Sequence, residues 1–109
     1  MTRTQKYKNV RTKYEDMWFD SKEELERYRE LKRMELEGKI HDLQTQVAYT
    51  LVPKTDKTRA IKYIADFVYF ENGWRVVEDC KSEITRKNPV YSMKKKMMYA
   101  LLGIEIKES

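Results

Sequence analysis

Tyr63-Ile64-Ala65-Asp66-Phe67-Val68-Tyr69-Phe70, the link Glu71-Asn72-Gly73 and the run Trp74-Arg75-Val76-Val77-Glu78-Asp79-Cys80-Lys81 decide the fold. Both runs are rich in aromatic and β-branched residues, and an Asn-Gly pair between such runs is a strong short-range sign of a hairpin. The first of these strands is expected to start at Arg59. Upstream, Gln46 to Val52 alternates Val47, Tyr49 and Leu51 against Gln46, Ala48 and Thr50, and Pro53 closes it. It reads as a third strand, followed by a polar turn over Lys54 to Thr58.

Outward from this hairpin, Asp20-Ser21-Lys22-Glu23 has the Asp-x-x-Glu form of a capping box, and a charged, glycine-free run follows to Glu37 and stops at Gly38. That predicts a helix whose apolar stripe is Leu25, Tyr28, Leu31 and Leu36. Pro89 suits the first turn of a second helix running through Met93, Met97, Met98, Leu101 and Leu102 to Gly103. Those methionines read as core or dimer filler. Ile104-Glu105-Ile106-Lys107 alternates as a short last strand, and at the other end Tyr7 to Lys13 and Met17 to Phe19 flank Glu15-Asp16 as a small hairpin. The expected class is α/β: helix, three strands, helix, strand around one small mixed sheet, with a short N-terminal hairpin. A chain of 109 residues is enough for a single domain, 1–109, and too little for two cores.

The chain is 40% apolar and 12% aromatic, too rich in core formers for a disordered segment. Its 23 basic and 18 acidic residues leave a net charge of +5. The basic N-terminal segment 1–13 carries the whole excess, through Arg3, Lys6, Lys8, Arg11 and Lys13 with no acid. A second acid-free stretch runs from Arg86 to Lys96 and holds Arg86, Lys87, Lys94, Lys95 and Lys96. Two such segments suggest a polyanion partner, since each cation near a phosphate releases condensed counterions. Arg11, Lys13, Lys94 and Lys95 are the candidate substrate contacts, with a solubilising tail and a solvated helix face as the plainer explanation. Trp18 and Trp74, beside hairpin turns, suit packing or base stacking equally. No apolar run has the length of a membrane span and no apolar leader opens the chain, so a soluble protein of the cytoplasm is expected, with no membrane partner. Cys80 is the only cysteine, which rules out an internal disulfide and a thiolate metal site. The single His41 rules out a His-pair zinc site and reads as a loop residue.

Acids in apolar settings carry the functional argument. Every close neighbour of Asp66 is apolar or aromatic, and a lone buried carboxylate costs several kcal/mol unless paired with a cation. Strand parity puts Val77, Asp79 and Lys81 on one face and Val76, Glu78 and Cys80 on the other, Cys80 toward the core, with Asp79 and Lys81 about 6.7 Å apart along the strand. On the first helix Glu24 projects between Leu31 and Tyr28. Glu23 serves the expected cap with Asp20 and leaves Glu24 without a local task, although a Ser21 and Glu24 cap is the alternative. Three carboxylates meeting beside an ammonium suit a hard divalent cation, Mg²⁺ with Mn²⁺ as its substitute. Such an ion polarises a phosphodiester and acidifies a coordinated water, while Lys81 orients that water or meets the charge that develops. A structural ion-pair core is the competing explanation for Asp66, Asp79 and Lys81.

Asp66, twelve intervening residues, then Asp79-Cys80-Lys81, preceded by Glu24 on a helix, resembles the PD-(D/E)XK nuclease superfamily. More closely, Phe19-Asp20-Ser21-Lys22, Glu24, Arg27-Tyr28, Gly38-Lys39-Ile40, Gln46, Tyr63-Ile64-Ala65-Asp66-Phe67 and Val77-Glu78-Asp79-Cys80-Lys81 are similar to a family of small phage and prophage proteins placed in that superfamily. The resemblance implies a restriction-endonuclease-like core, with Asp66, Asp79 and Lys81 as motif residues and Glu24 as the helix glutamate. Ala65 stands where the motif has proline. Adjacent Glu78 also fits the acid position, and strand parity with Lys81 favours Asp79. Gln46 is expected near substrate. The implied activity is a magnesium-dependent DNA endonuclease in a bacterial or phage-infected cell, acting on branched DNA such as a Holliday junction formed in recombination, with a homodimer suggested by the small resolvases. The alternative is a non-catalytic nucleic-acid-binding accessory protein of phage replication or packaging.

Overall fold

The N-terminal hairpin, the first element of the computed structural model, sits at the start of the described residues, 11–109; Arg3, Lys6, Lys8 and the expected strand start at Tyr7 lie outside them. Strands β1 (Thr12–Tyr14) and β2 (Met17–Phe19) pair antiparallel through Glu15 and Asp16. Both turn residues have positive φ, the geometry that matches the twist of a two-residue hairpin.

Helix α1 (Lys22–Leu36) follows, and its cap is the alternative, Ser21 with Glu24, rather than Asp20 with Glu23. Ser21 is the N-cap, its Oγ accepting from the Glu24 backbone N–H at 3.1 Å, while Glu24 Oε1 accepts from the Asp20 backbone N–H at 3.1 Å. Asp20 and Ser21 are comparable caps on helix chemistry alone. The later start puts Glu24 rather than Glu23 near the chain entering the helix. Leu36 also departs from its expected place: it is 86% exposed, about 140° around the helix from fully buried Leu31. Met34 takes its place beside Leu25, Tyr28 and Leu31.

Strands β3 (His41–Val52), β4 (Ile61–Glu71) and β5 (Trp74–Asp79) form an antiparallel meander. Strand β3 starts five residues before Gln46, because the polar run His41 to Thr45 has no apolar alternation to announce it. The Asn72 and Gly73 link has positive φ at both residues, as the Asn-Gly signal required. A one-turn helix α2 (Glu83–Arg86), unforeseen in the sequence, is capped by Ser82, whose Oγ accepts from the Thr85 backbone N–H. Helix α3 (Pro89–Leu102) runs from an Asn88 cap to left-handed Gly103. Strand β6 (Lys107–Glu108) then pairs parallel with β5, Asp79 opposite Glu108. The protein is thus a small α/β fold: a mixed four-stranded sheet, ordered β3-β4-β5-β6, with helices and a separate two-stranded hairpin. Among the described residues no helix is long and apolar enough to cross a membrane.

The core has two halves. Tyr91 and Met98 of α3 pack on Leu51, Tyr63, Ala65, Val68 and Val77, while Tyr28 and Leu31 of α1 pack on Phe19, Ile40, Phe67 and Tyr69. Tyr63 and Ala65 therefore belong to the α3 half but Phe67 and Tyr69 to the α1 half, so side-chain alternation along β4 slips at Asp66. The slip falls opposite Gln46, whose φ is +53°. Flanking pairs Thr45 with Phe67 and Val47 with Ala65 keep one register, so both strands turn over together.

Candidate functional site

The site lies at that slip. Glu24 comes from the first turn of α1, Gln46 from β3, Asp66 from β4 and Asp79 from the end of β5, with Lys81 just beyond. Glu24, Asp66 and Asp79 are buried, Asp79 completely. Gln46 Nε2 donates to Glu24 Oε2 at 3.1 Å and to Asp66 Oδ1 at 3.4 Å, so one amide joins two carboxylates. Lys81 Nζ stands 3.3 Å from Asp66 Oδ2 and 3.8 Å from Asp79 Oδ1. Asp79 Oδ1 accepts from the Asp66 backbone N–H at 2.8 Å, and Asp66 Oδ2 from the Cys80 backbone N–H at 3.0 Å.

The acids expected to meet at one point instead form a chain, Glu24 to Gln46 to Asp66 to Lys81 to Asp79. Among the described residues no three His, Cys, Asp or Glu side chains form a ready-made metal cluster. The reason is local: Gln46 and Lys81 stand between the carboxylates and partner them in a metal's stead. The balance is still short of positive charge, since three carboxylates face one ammonium. Burial, reinforced by the Asp66 charge, pushes the Glu24 carboxyl up to about 7. Burial pushes Asp79 up to about 6 against the pull of Lys81. Burial works against the Lys81 ammonium too, but Asp66 and Asp79 outweigh it and hold its pKa above the ordinary value. Asp79 Oδ2 is buried without a hydrogen-bond partner, a condition shared among the described residues with the Tyr63 hydroxyl alone. An orphaned carboxylate oxygen in an all-oxygen donor set with surplus negative charge fits a hard divalent cation.

Adjacent Glu78 has a different task. It faces α1, where Arg27 holds both its oxygens and the Tyr69 hydroxyl donates to Oε1. Burial alone would raise its pKa, but the hydrogen bonds from Arg27 and Tyr69 hold it below the ordinary value. This buried pair was not foreseen. Its signal was available in the parity of Glu78, opposite to Asp79, and in Arg27 one turn beyond Glu24.

The expected substrate contacts are not gathered here. Arg11 stacks 4.9 Å from the Trp18 ring and Lys13 lies 6.0 Å from it, both on the N-terminal hairpin. Lys95 is engaged by Glu108 at 3.1 Å, and Glu108 also accepts from the Tyr91 hydroxyl. Lys94 is half-buried on α3. His41 stacks on Phe70 in β3, a strand rather than the expected loop, and Cys80 packs half-buried beside the α1 half of the core. A cleft of about 660 Å³ opens beside the site, lined by Asp20, Glu23, Glu24, Glu26 and Glu30 together with Arg27 and Lys81.

The family described as "Protein of unknown function (DUF1064)" matches residues 4–106. The chain belongs to the DUF1064 family. No curated protein and no solved structure matches it.

Proposed function

We propose that this protein is a divalent-metal-dependent DNA endonuclease of the PD-(D/E)XK type, its sheet and flanking helices serving as a restriction-endonuclease-like core. The observation that carries the reading is the orphaned Asp79 Oδ2 beside Lys81 and Asp66, with Glu24 tied to Asp66 through Gln46. Glu24, Asp66 and Asp79 are the groups to hold Mg²⁺ or Mn²⁺, which when bound supplies polarisation of the phosphodiester and acidification of water. Lys81 keeps its proton beside two carboxylates and meets the negative charge that develops on the phosphoryl oxygens. Gln46 holds Glu24 and Asp66 at a fixed separation through its two hydrogen bonds. The resemblance to small phage proteins extends the proposal to branched DNA, such as a four-way junction, cut by a homodimer in the cytoplasm of a bacterial or phage-infected cell.

The test is cleavage of linear, single-stranded and four-way-junction DNA by purified protein with Mg²⁺ or Mn²⁺. Intact substrates throughout, or an Asp79→Ala variant that cuts as well as the parent, would end the reading. Independently, Mn²⁺ should raise the melting temperature with concentration, and Asp66→Asn should abolish that rise.

A second reading has its own observation: Gln46 and Lys81 already partner the carboxylates. On it the acids are structural pairs in a nucleic-acid-binding accessory protein of phage replication or packaging. Mn²⁺ then leaves the melting temperature unchanged, and Asp66→Asn destabilises the fold.

A further inference from the structure

Beyond the slip at Gln46 and Asp66, β3 and β4 continue as a two-stranded arm. Helix α3 covers one face of it, through Leu51 and Tyr63. The other face is bare: Ala48 lies opposite Ile64 and Thr50 opposite Lys62, and all four are exposed, Ile64 by 52%. The strip starts at exposed Gln46, which touches two of the site's carboxylates, and its small Ala48 and Thr50 leave room for a backbone to lie close.

The strip ends in a turn with built order. Thr55 Oγ1 accepts from the backbone N–H groups of Lys57 and Thr58 at 3.1 and 2.9 Å, and the Thr55 backbone N–H donates to the Thr58 carbonyl at 3.0 Å. This turn and its flanks hold Lys54, Lys57, Arg59 and Lys62 against one acid, Asp56, and all are exposed. Among the described residues none of the four cations has a carboxylate within ion-pair distance, whereas Arg27, Lys81, Arg86 and Lys95 are each engaged. The cleft carries five acids against Arg27 and Lys81, both already engaged by carboxylates, and so disfavours a polyanion.

We propose that the bare face of the β3–β4 arm is the track along which a nucleic-acid strand reaches the site, with Lys54, Lys57, Arg59 and Lys62 binding its phosphates at the far end. The assignment rests on the nuclease reading and adds where and how the substrate is held. Strand β3 runs on from Gln46 to Val52 and Lys54 lies two residues further, a reach of at most about 26 Å. At one phosphate per about 3.4 Å of duplex axis on each strand, that span takes roughly seven to eight nucleotides. The cations read no sequence; they fix the strand's path.

The test compares the parent with a quadruple variant, Lys54→Gln, Lys57→Gln, Arg59→Gln and Lys62→Gln, and with a control of equal charge change at exposed positions, Arg29→Gln, Arg33→Gln, Lys39→Gln and Lys107→Gln. Duplex DNA binding is titrated against salt in EDTA, so that no strand is cut. The arm variant should lose about tenfold or more in affinity at 0.1 M salt, and its salt slope should fall by about 3 to 4, while the control changes by far less. Ala48→Glu, an exposed change on the strip itself, should weaken binding comparably with an unaltered melting temperature. With Mg²⁺, KM of the arm variant should rise and kcat stay as in the parent. A cutting parent whose arm variant keeps its affinity, slope and KM overturns the track and leaves the nuclease reading standing. A parent that neither cuts nor binds DNA ends both, and preference for polyglutamate over DNA would assign the arm to an acidic protein instead.

Discussion

Glu78 and Asp79 are adjacent on β5, equally buried, and point to opposite sides of the sheet, yet their surroundings treat their charges differently. Glu78 is met on both oxygens by Arg27 and again by Tyr69, and its charge is held in place. Asp79 has a backbone N–H, a lysine shared with Asp66 and one oxygen with no partner. The fold satisfies one buried carboxylate fully and leaves its neighbour short, and the proposed metal site rests on that difference. The pair teaches that burial alone does not tell two acids apart; how fully each is partnered does.

Breaking the satisfied member should have the larger effect on stability. Glu78→Ala takes the buried carboxylate from both Arg27 and the Tyr69 hydroxyl, leaving Arg27 only its bond to half-exposed Glu30 at 2.8 Å, and should cost about 2–4 kcal/mol in urea denaturation. Adding Arg27→Ala should cost little more, because the two act as one unit. Asp79→Asn should shift metal-free stability by less than about 1 kcal/mol, yet remove the Mn²⁺-dependent rise in melting temperature and reduce cleavage by about a hundredfold or more, near 2.7 kcal/mol of barrier.

The contrast sharpens with pH. Between their ordinary values and about 7 for Glu24 or about 6 for Asp79, the native state holds more protons than the unfolded chain. Their joint contribution is therefore present in acid and lost as pH rises, on the order of 4 kcal/mol between pH 5 and 8 without metal. Glu78 has the opposite sign: its contribution is lost as pH falls below the ordinary carboxylate range. Metal-free melting temperatures should peak near pH 5, and saturating Mn²⁺ should flatten the alkaline side. The smallest expected effect is at Leu36→Gln, within about 0.5 kcal/mol, since that leucine faces solvent, whereas Leu31→Ala should cost about 2–5 kcal/mol.

Much of this was legible from local chemistry. Asn72-Gly73, Pro89, Gly38 and Gly103 each carry a backbone requirement, so the hairpin and the long helices followed from them. Strand parity separated Asp79 from Glu78, and the setting of Asp66 flagged it. What escaped depended on contacts between distant residues. The choice of Ser21 over Asp20 as cap goes with the bond from Gln46 to Glu24. The early start of β3 depends on pairing with β4, which polar His41 to Thr45 do not advertise. The slip at Asp66 needs Gln46 in a left-handed conformation that a glutamine does not announce. For the same reason the acids could be named but not arranged: nothing local says that an amide and an ammonium stand between them.

The parallel pairing of β6 beside β5 has a consequence for how the molecule comes together. The β3–β4 turn closes over few residues, so Gln46 and Asp66 meet at small entropic cost. Strand β6 reaches Asp79 only after α2 and α3 have carried the chain back across the sheet, and there the Ser109 backbone N–H donates to the Asp79 carbonyl at 2.9 Å. The backbone of Asp79 is thus held by a contact that spans 30 residues, a longer closure than the one between β3 and β4. On the nuclease proposal, a chain with the arm formed and β6 undocked would carry the proposed phosphate contacts before that end of the site is closed, and would bind a polyanion without cutting it.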